Sequence, residues 1–165
     1  AWDSLPVGVV TLAERHGGID VTPESFEAMV EEVTEFLLDF SLVASEAGRA
    51  PNFHLLGTSG TVTTVGGIHL RLARYDRRRV DGMWMGNRDI TAVIEGLLGS
   101  DFQERAANPC IGRDRADLVL AGCAILEAIR RAFPSDRLRI ADRGLREGIL
   151  MNMMREDSVW RGSHR

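Results

Sequence analysis

Between Phe53 and Ala73 the chain passes from a short apolar run, through two glycines, into a helix-like segment, and this transition restricts the folds open to it. Phe53 to Leu56 has strand character and breaks at Gly57. Gly60 follows, and the segment from Thr61 to Ala73 reads as helical. A strand that feeds a helix start through a glycine turn suits an anion. Glycine lets the backbone approach closely. The first N–H groups of a helix have no internal acceptor, and the helix dipole favours negative charge there. Thr58, Ser59 and Thr61 add hydroxyl donors. Two readings fit: a cradle for phosphate over Gly57, Thr58, Ser59, Gly60 and Thr61, and an ordinary strand-to-helix turn. The glycine spacing matches neither the Walker nor the dinucleotide fingerprint, and the chain has no lysine to serve a Walker motif.

The arrangement recurs. Leu138 and Ile140 alternate with Arg137 and Arg139 as in a strand, Asp142-Arg143-Gly144 breaks it, and a helix follows through Leu145, Ile149, Leu150 and Met153. Strands alternating with helices indicate an α/β layer structure. Ligands in such sheets lie beyond the carboxyl ends of the strands. Gly57–Thr61 and Gly144–Gly148 share that end if their strands run parallel in one sheet, and this convergence favours the phosphate reading.

The remaining segments are read from periodicity and punctuation. Ser4 to Leu12 reads as a strand, with Leu5, Val7, Val9 and Val10 around Gly8, and Gly17-Gly18 as a turn. Thr22-Pro23-Glu24 is a helix start, with Thr22 as cap. Phe26, Met29, Val30, Val33, Phe36, Leu37, Phe40 and Val43 then form one apolar stripe, ended by Gly48 and Pro51. The acids on the opposite side (Glu24, Glu27, Glu31, Glu32 and Glu35) are read as a solvated face rather than a metal site. The arginines at 77–79 are either a polyanion grip or a solvated loop, and Arg79 to Trp84 a short strand or ribbon. Asn87 caps a helix with stripe Ile90, Val93, Ile94 and Leu97, and Asp101 to Ala107 is a short helix. Arg113 to Phe133 is a core helix, apolar or glycine throughout Leu118 to Leu126. Arg155 to Arg165 reads as a frayed tail.

At 165 residues and 44% hydrophobic the chain is one domain with room for a sizeable core. A net charge of -4 argues against a nucleic-acid partner. With no lysine, any side-chain cation that meets phosphate is arginine, which binds bidentately. Cys110 and Cys123 are too few for a disulfide scaffold and read as reduced thiols in a cytoplasmic setting. No apolar run approaches the roughly 20 residues of a membrane span.

Four segments in order resemble the exopolyphosphatase / guanosine pentaphosphate phosphohydrolase family, a branch of the actin-like superfold. Ser4-Leu5-Pro6-Val7-Gly8-Val9-Val10 is similar to its opening strand, and Gly57-Thr58-Ser59-Gly60-Thr61 to its second phosphate motif. Arg115-Ala116-Asp117 with Ala121-Gly122 and Ile125-Leu126 is similar to its core helix. Asp142-Arg143-Gly144-Leu145-Arg146-Glu147-Gly148 is similar to its closing motif. The match runs over about residues 4 to 154.

The resemblance implies an actin-like (ribonuclease H-like) lobe: a mixed sheet flanked by helices, residues 1–165 forming most of the second, C-terminal lobe. Family members carry a preceding lobe with a catalytic glutamate and a first phosphate loop, neither of which is in this sequence. The expectation is that no catalytic residue lies in this chain and that it is inactive alone. The implied chemistry is Mg²⁺-dependent hydrolysis of a terminal phosphoanhydride in polyphosphate or guanosine penta/tetraphosphate, in the stringent response. Phosphate binding falls to Gly57, Thr58, Ser59, Gly60 and Thr61. Arg143, Arg146 and Glu147 are possible substrate contacts, with an Arg146–Glu147 ion pair as the structural alternative. Arg115 and Asp117 are expected to pair with each other and anchor the core helix, with substrate contact as the alternative. No metal ligand is assigned. Unpaired sheet edges lead to an expected homodimer or other self-association. The rival reading is a non-catalytic nucleotide- or polyphosphate-binding regulatory module of the same superfold.

Overall fold

Apolar periodicity and caps place most of the elements in the computed structural model, which describes residues 1–157. The tail expected to fray lies, beyond Asp157, outside the described residues. In chain order the elements are α1 (Val9–His16), α2 (Pro23–Val43), α3 (Ser45–Gly48), β1 (Leu55–Gly57), α4 (Gly60–His69), α5 (Arg77–Val80), β2 (Trp84–Gly86), α6 (Asn87–Leu98), α7 (Phe102–Ala107), α8 (Val119–Ala132), β3 (Arg137–Ile140) and α9 (Leu145–Glu156). No helix among the described residues is long and apolar enough to cross a membrane.

The strands form one mixed sheet in the order β1-β3-β2. β1 runs parallel to β3, with Leu55 opposite Leu138 and Gly57 opposite Ile140. β2 is antiparallel to β3, with Trp84 opposite Arg139. Side chains alternate across a strand. Leu138, Ile140 and Met85 therefore enter the core together, while Leu56, Arg139 and Trp84 share the open face. Helix α8 lies across α2 and reaches α1, α4 and α6. Met29, Val30 and Val33 of α2 and Leu120, Cys123 and Ala124 of α8 are fully buried. Each large aliphatic side chain so buried contributes about 1.5–3 kcal/mol. The small residues of α8 let the neighbouring helices approach.

Thr22 caps α2 as expected, its hydroxyl accepting the Ser25 N–H at 3.2 Å. Asp101 caps α7, accepting the Glu104 N–H at 2.8 Å.

Three sequence expectations are corrected. The strand read over Ser4 to Leu12 is absent; its second half is the start of α1. The apolar residues there serve a helix, since Leu12 and Ala13 are buried while Val10 is half exposed. Thr11 closes the helix start by accepting the Gly8 N–H at 3.1 Å. The ribbon read over Arg79 to Trp84 divides into the turn of α5 and strand β2. Asp76 caps α5 by accepting the Arg78 N–H at 2.9 Å. The helix read over Arg113 to Phe133 begins late. Residues Arg113–Arg115 form one 3-10 turn, and the α-helix starts only at Val119.

A buried arginine ties this region together. Arg105 is 2% exposed and donates to the carbonyls of Ile19 (2.6 Å), Ser100 (2.7 Å) and Ala116 (3.2 Å). Gly18 lies beside it, against the Asp117 carbonyl, where a Cβ would stand 2.1 Å from the oxygen.

Candidate functional site

Because β1 and β3 are parallel and in register, both glycine turns leave the sheet at the same end. They meet there. A Cβ on Gly144 would lie 3.8 Å from the Thr58 hydroxyl.

The first turn is a capped helix start. Ser59 is the N-cap of α4, and its hydroxyl accepts the Val62 N–H at 3.2 Å. The N–H groups of Gly60 and Thr61 have no acceptor among the described residues. These two amides, at the positive end of a helix dipole, form the part of the loop able to receive an anion.

The three hydroxyls of the loop have different tasks. Ser59 serves the cap, and Thr58 borders Gly144. Thr61 turns into the core, over Gly122 of α8. The glycines differ as well. Gly57 is demanded by packing, since a Cβ there would stand 2.7 Å from Val62 Cγ1. Gly60 faces open space, and the nearest atom to its missing Cβ is Arg115 Nη1 at 3.6 Å.

That contact corrects the expected Arg115–Asp117 pair. Arg115 instead donates to the carbonyls of Ile111 and Cys110, both at 3.2 Å. Backbone oxygens fix the guanidinium, and among the described residues it forms no salt bridge with a carboxylate. It is a cation held at the open side of the glycine turn, with Gly60, Thr61 and Val119 around a hollow of about 260 Å³. Its distance in sequence from Gly60 gave no sign of this. A larger hollow of about 650 Å³ lies away from the strand ends, between Ile68 and Ser100.

The second turn holds its charges differently. Asp142 is occupied: Arg77 binds its carboxylate at 2.6 Å and its carbonyl at 2.6 Å, and its N–H donates to Asp81. The arginine run of α5 thus contributes one clamp to this turn, from Arg77. Glu147 accepts the Gly144 N–H at 2.8 Å, closing the start of α9. That hydrogen bond holds its carboxyl below the ordinary value, and the charges of Arg146 and Arg77 add to the effect. Glu147 is therefore a cap. The Arg146–Glu147 ion pair, the structural alternative for Arg146, is not formed as a salt bridge, and the exposed guanidiniums of Arg143 and Arg146 make none among the described residues. Both stand at the strand ends without a carboxylate partner.

Among the described residues no group of three or more His, Cys, Asp or Glu is arranged to hold a metal. The two carboxylates nearest the turns, Asp142 and Glu147, are engaged as described. The strand ends of this chain thus offer backbone amides and arginines, which suit an anion, and do not form a magnesium cage.

The sequence profile of the Ppx/GppA phosphatase family matches residues 1–157. A Haemophilus influenzae relative provisionally named an exopolyphosphatase is 27% identical over 161 residues, covering 95% of this chain and 46% of that protein. The crystal structure of the Ppx/GppA family member of Aquifex aeolicus superposes with a TM-score of 0.78 at 25% identity, covering 99% of this chain and 50% of that one. An exopolyphosphatase structure from Cytophaga hutchinsonii gives a TM-score of 0.80 at 19% identity, covering 94% of this chain and 50% of its own, a likeness of fold alone. The chain thus spans about half the length of the Haemophilus influenzae relative and of the Aquifex aeolicus structure.

Proposed function

The chain belongs to the Ppx/GppA phosphatase family, and from that premise we propose that it is the second, C-terminal lobe of a phosphohydrolase that removes terminal phosphate from inorganic polyphosphate or guanosine pentaphosphate. One observation carries the reading. The unpaired amides of Gly60 and Thr61 and the tethered guanidinium of Arg115 belong to residues that border one hollow beside the glycine turn. A phosphate there meets backbone donors and a bidentate-capable cation without rearrangement.

In phosphoryl transfer the protein chiefly positions and neutralises charge. In this reading the α4 start holds one phosphate, and Arg115 faces its outer oxygens. Arg143 and Arg146 approach from the Gly144 turn. Mg²⁺, when bound, would neutralise charge on the phosphate, and the described residues of this chain form no cage for it. The attacking water is positioned by residues outside this chain, so the 165-residue chain is expected to bind phosphates and not to hydrolyse them. The exposed apolar side chains Leu145, Ile149 and Leu150 of α9 are proposed as a contact surface for self-association.

Steady-state kinetics on a protein that includes both lobes test the reading. Gly60→Val fills the space between the free amides and Arg115, and turnover is expected to fall by orders of magnitude with an unchanged melt. Ser59→Ala removes one cap bond and is expected to cost about tenfold. Wild-type turnover in Gly60→Val removes the loop from the active site. Phosphate binding with no hydrolysis by the two-lobed protein favours the regulatory-module reading instead.

A further inference from the structure

The open face of the sheet carries a cationic and aromatic cluster that the strand-end site does not use. Arg137 lies 4.4 Å and Arg139 5.4 Å from the centre of the Trp84 ring, and His54 meets the same ring edge-on at 4.9 Å. Register explains the assembly. Trp84 faces Arg139 directly across the antiparallel pair, and Arg137 is two residues back on the same face. Leu56 is Arg139's partner on the other side, immediately before Gly57.

Neither arginine forms a salt bridge with a carboxylate among the described residues. A chain of net charge -4 thus leaves two neighbouring guanidiniums uncompensated on a flat face. Stacking on an indole orients a guanidinium and leaves its N–H edge free for an anion. Two guanidiniums contact the Trp84 ring, so the charge of this face favours phosphates. The two arginines stand about 6–7 Å apart along the strand, in line with the end of the sheet where Gly57 lies.

We propose that Arg137 and Arg139, oriented by Trp84, form a second polyanion contact. It takes the part of a polyphosphate chain that continues beyond the phosphate held at the Gly57–Thr61 turn. This rests on the strand-end reading for its direction, but the face can be tested separately from it. The ligand is a linear phosphate chain, and length is the property the face reads. A short chain ends at the turn; a long one crosses Leu56 and reaches both arginines. Because the contacts are charge on charge at an exposed surface, they weaken as salt rises.

The test is calorimetric titration of the 165-residue chain with tripolyphosphate and with long-chain inorganic polyphosphate, at two salt concentrations. It compares the native chain, Arg137→Gln/Arg139→Gln and Gly60→Val. The double variant is expected to lose about tenfold in affinity for the long chain, the size of two exposed charge-assisted contacts. It is also expected to lose salt sensitivity, and to bind tripolyphosphate within about twofold of the native chain. Arg137→Lys/Arg139→Lys keeps the charges and is expected to fall between the two. It also serves if the glutamine variant does not fold. Equal long-chain affinity in the double variant overturns the proposal. So does an equal loss for both ligands, which marks the arginines as purely structural. If Gly60→Val leaves tripolyphosphate binding intact while long-chain binding still needs the arginines, the face stands and the strand-end reading falls. Absence of long-chain binding by the native chain overturns the proposal outright. Arginine-dependent binding of a single-stranded oligonucleotide as tight as that of polyphosphate reassigns the face to nucleic acid and overturns it as stated.

Discussion

Gly122 of α8 lies directly beneath Thr61 of α4, so close that a Cβ on the glycine would stand 2.1 Å from the threonine hydroxyl. The seat of the glycine turn is therefore set by the core helix. Alanine is favoured over glycine inside a helix by about 0.5–1 kcal/mol, whereas overpacking a filled site costs about 1–3 kcal/mol. The clash wins here, because Thr61 Cβ and Cγ2 are also within 3.0 Å. Gly122→Ala is expected to lower the melting temperature and weaken tripolyphosphate binding together. Thr61→Ala in the same chain is expected to restore part of both, as a double-mutant cycle will read. An increase in stability from Gly122→Ala alone would contradict the packing described.

Arg105 tests the other end of the core. Replacing it with Leu leaves the carbonyls of Ile19, Ser100 and Ala116 without their donor. Ala116 is fully buried, and a buried unsatisfied group costs about 1–3 kcal/mol, so the loss should be at least about 1 kcal/mol in urea denaturation. Burial already pushes the guanidinium's pKa down, and the nearby Asp101 and Asp20 oppose that. A loss under about 1 kcal/mol would mean that these carbonyls find other partners.

Much of this was legible in the sequence, and the failures share a cause. Thr22 and the stripes of α2 and α6 act locally, so residue type and spacing suffice. The convergence of the Gly57 and Gly144 turns followed from assuming parallel strands, which the register bears out. Val7, Val9 and Val10 misled because β-branched residues favour strands, while the helix there is fixed by Leu12 and Ala13 packing under α8. For Arg115 the sequence offers Asp117 as a nearby acid, and the structure does not pair them. The acceptors of Arg115 are carbonyls, which carry no signature in the sequence. The three-residue spacing of Gly144 and Glu147 is itself the signature of the cap they form.

The cysteines bear on redox behaviour. Full burial pushes the Cys123 thiol up to about 12, and burial raises Cys110 as well. Thiolate is the reactive form. Neither should react with a thiol reagent in the folded chain near neutral pH, and both should react on denaturation. Rapid labelling of one thiol under native conditions would contradict the burial.

Acid sensitivity follows from carboxylates held low. The hydrogen bond from Arg131 lowers Glu27, and the Gly144 N–H lowers Glu147. Their folded values lie below the unfolded one, about 4.3 for glutamate. Their stabilisation is thus fully present above that pH and is lost as pH falls through the lowered values. Glu27→Gln should flatten the acid side of the stability profile by lowering stability slightly at neutral pH and leaving it unchanged where Glu27 is already protonated, the loss being small because the pair is exposed to solvent. An unchanged acid profile in Glu27→Gln would remove this pair as a source.

The central claim is that phosphate is held by the free amides of Gly60 and Thr61 beside Arg115. The most direct test is an amide-resolved NMR titration of the chain with tripolyphosphate. The account predicts that the largest shifts fall on Gly60 and Thr61, with smaller ones at Gly144, and that Gly60→Val abolishes them. Shifts confined to other surfaces, or undiminished in Gly60→Val, would contradict it.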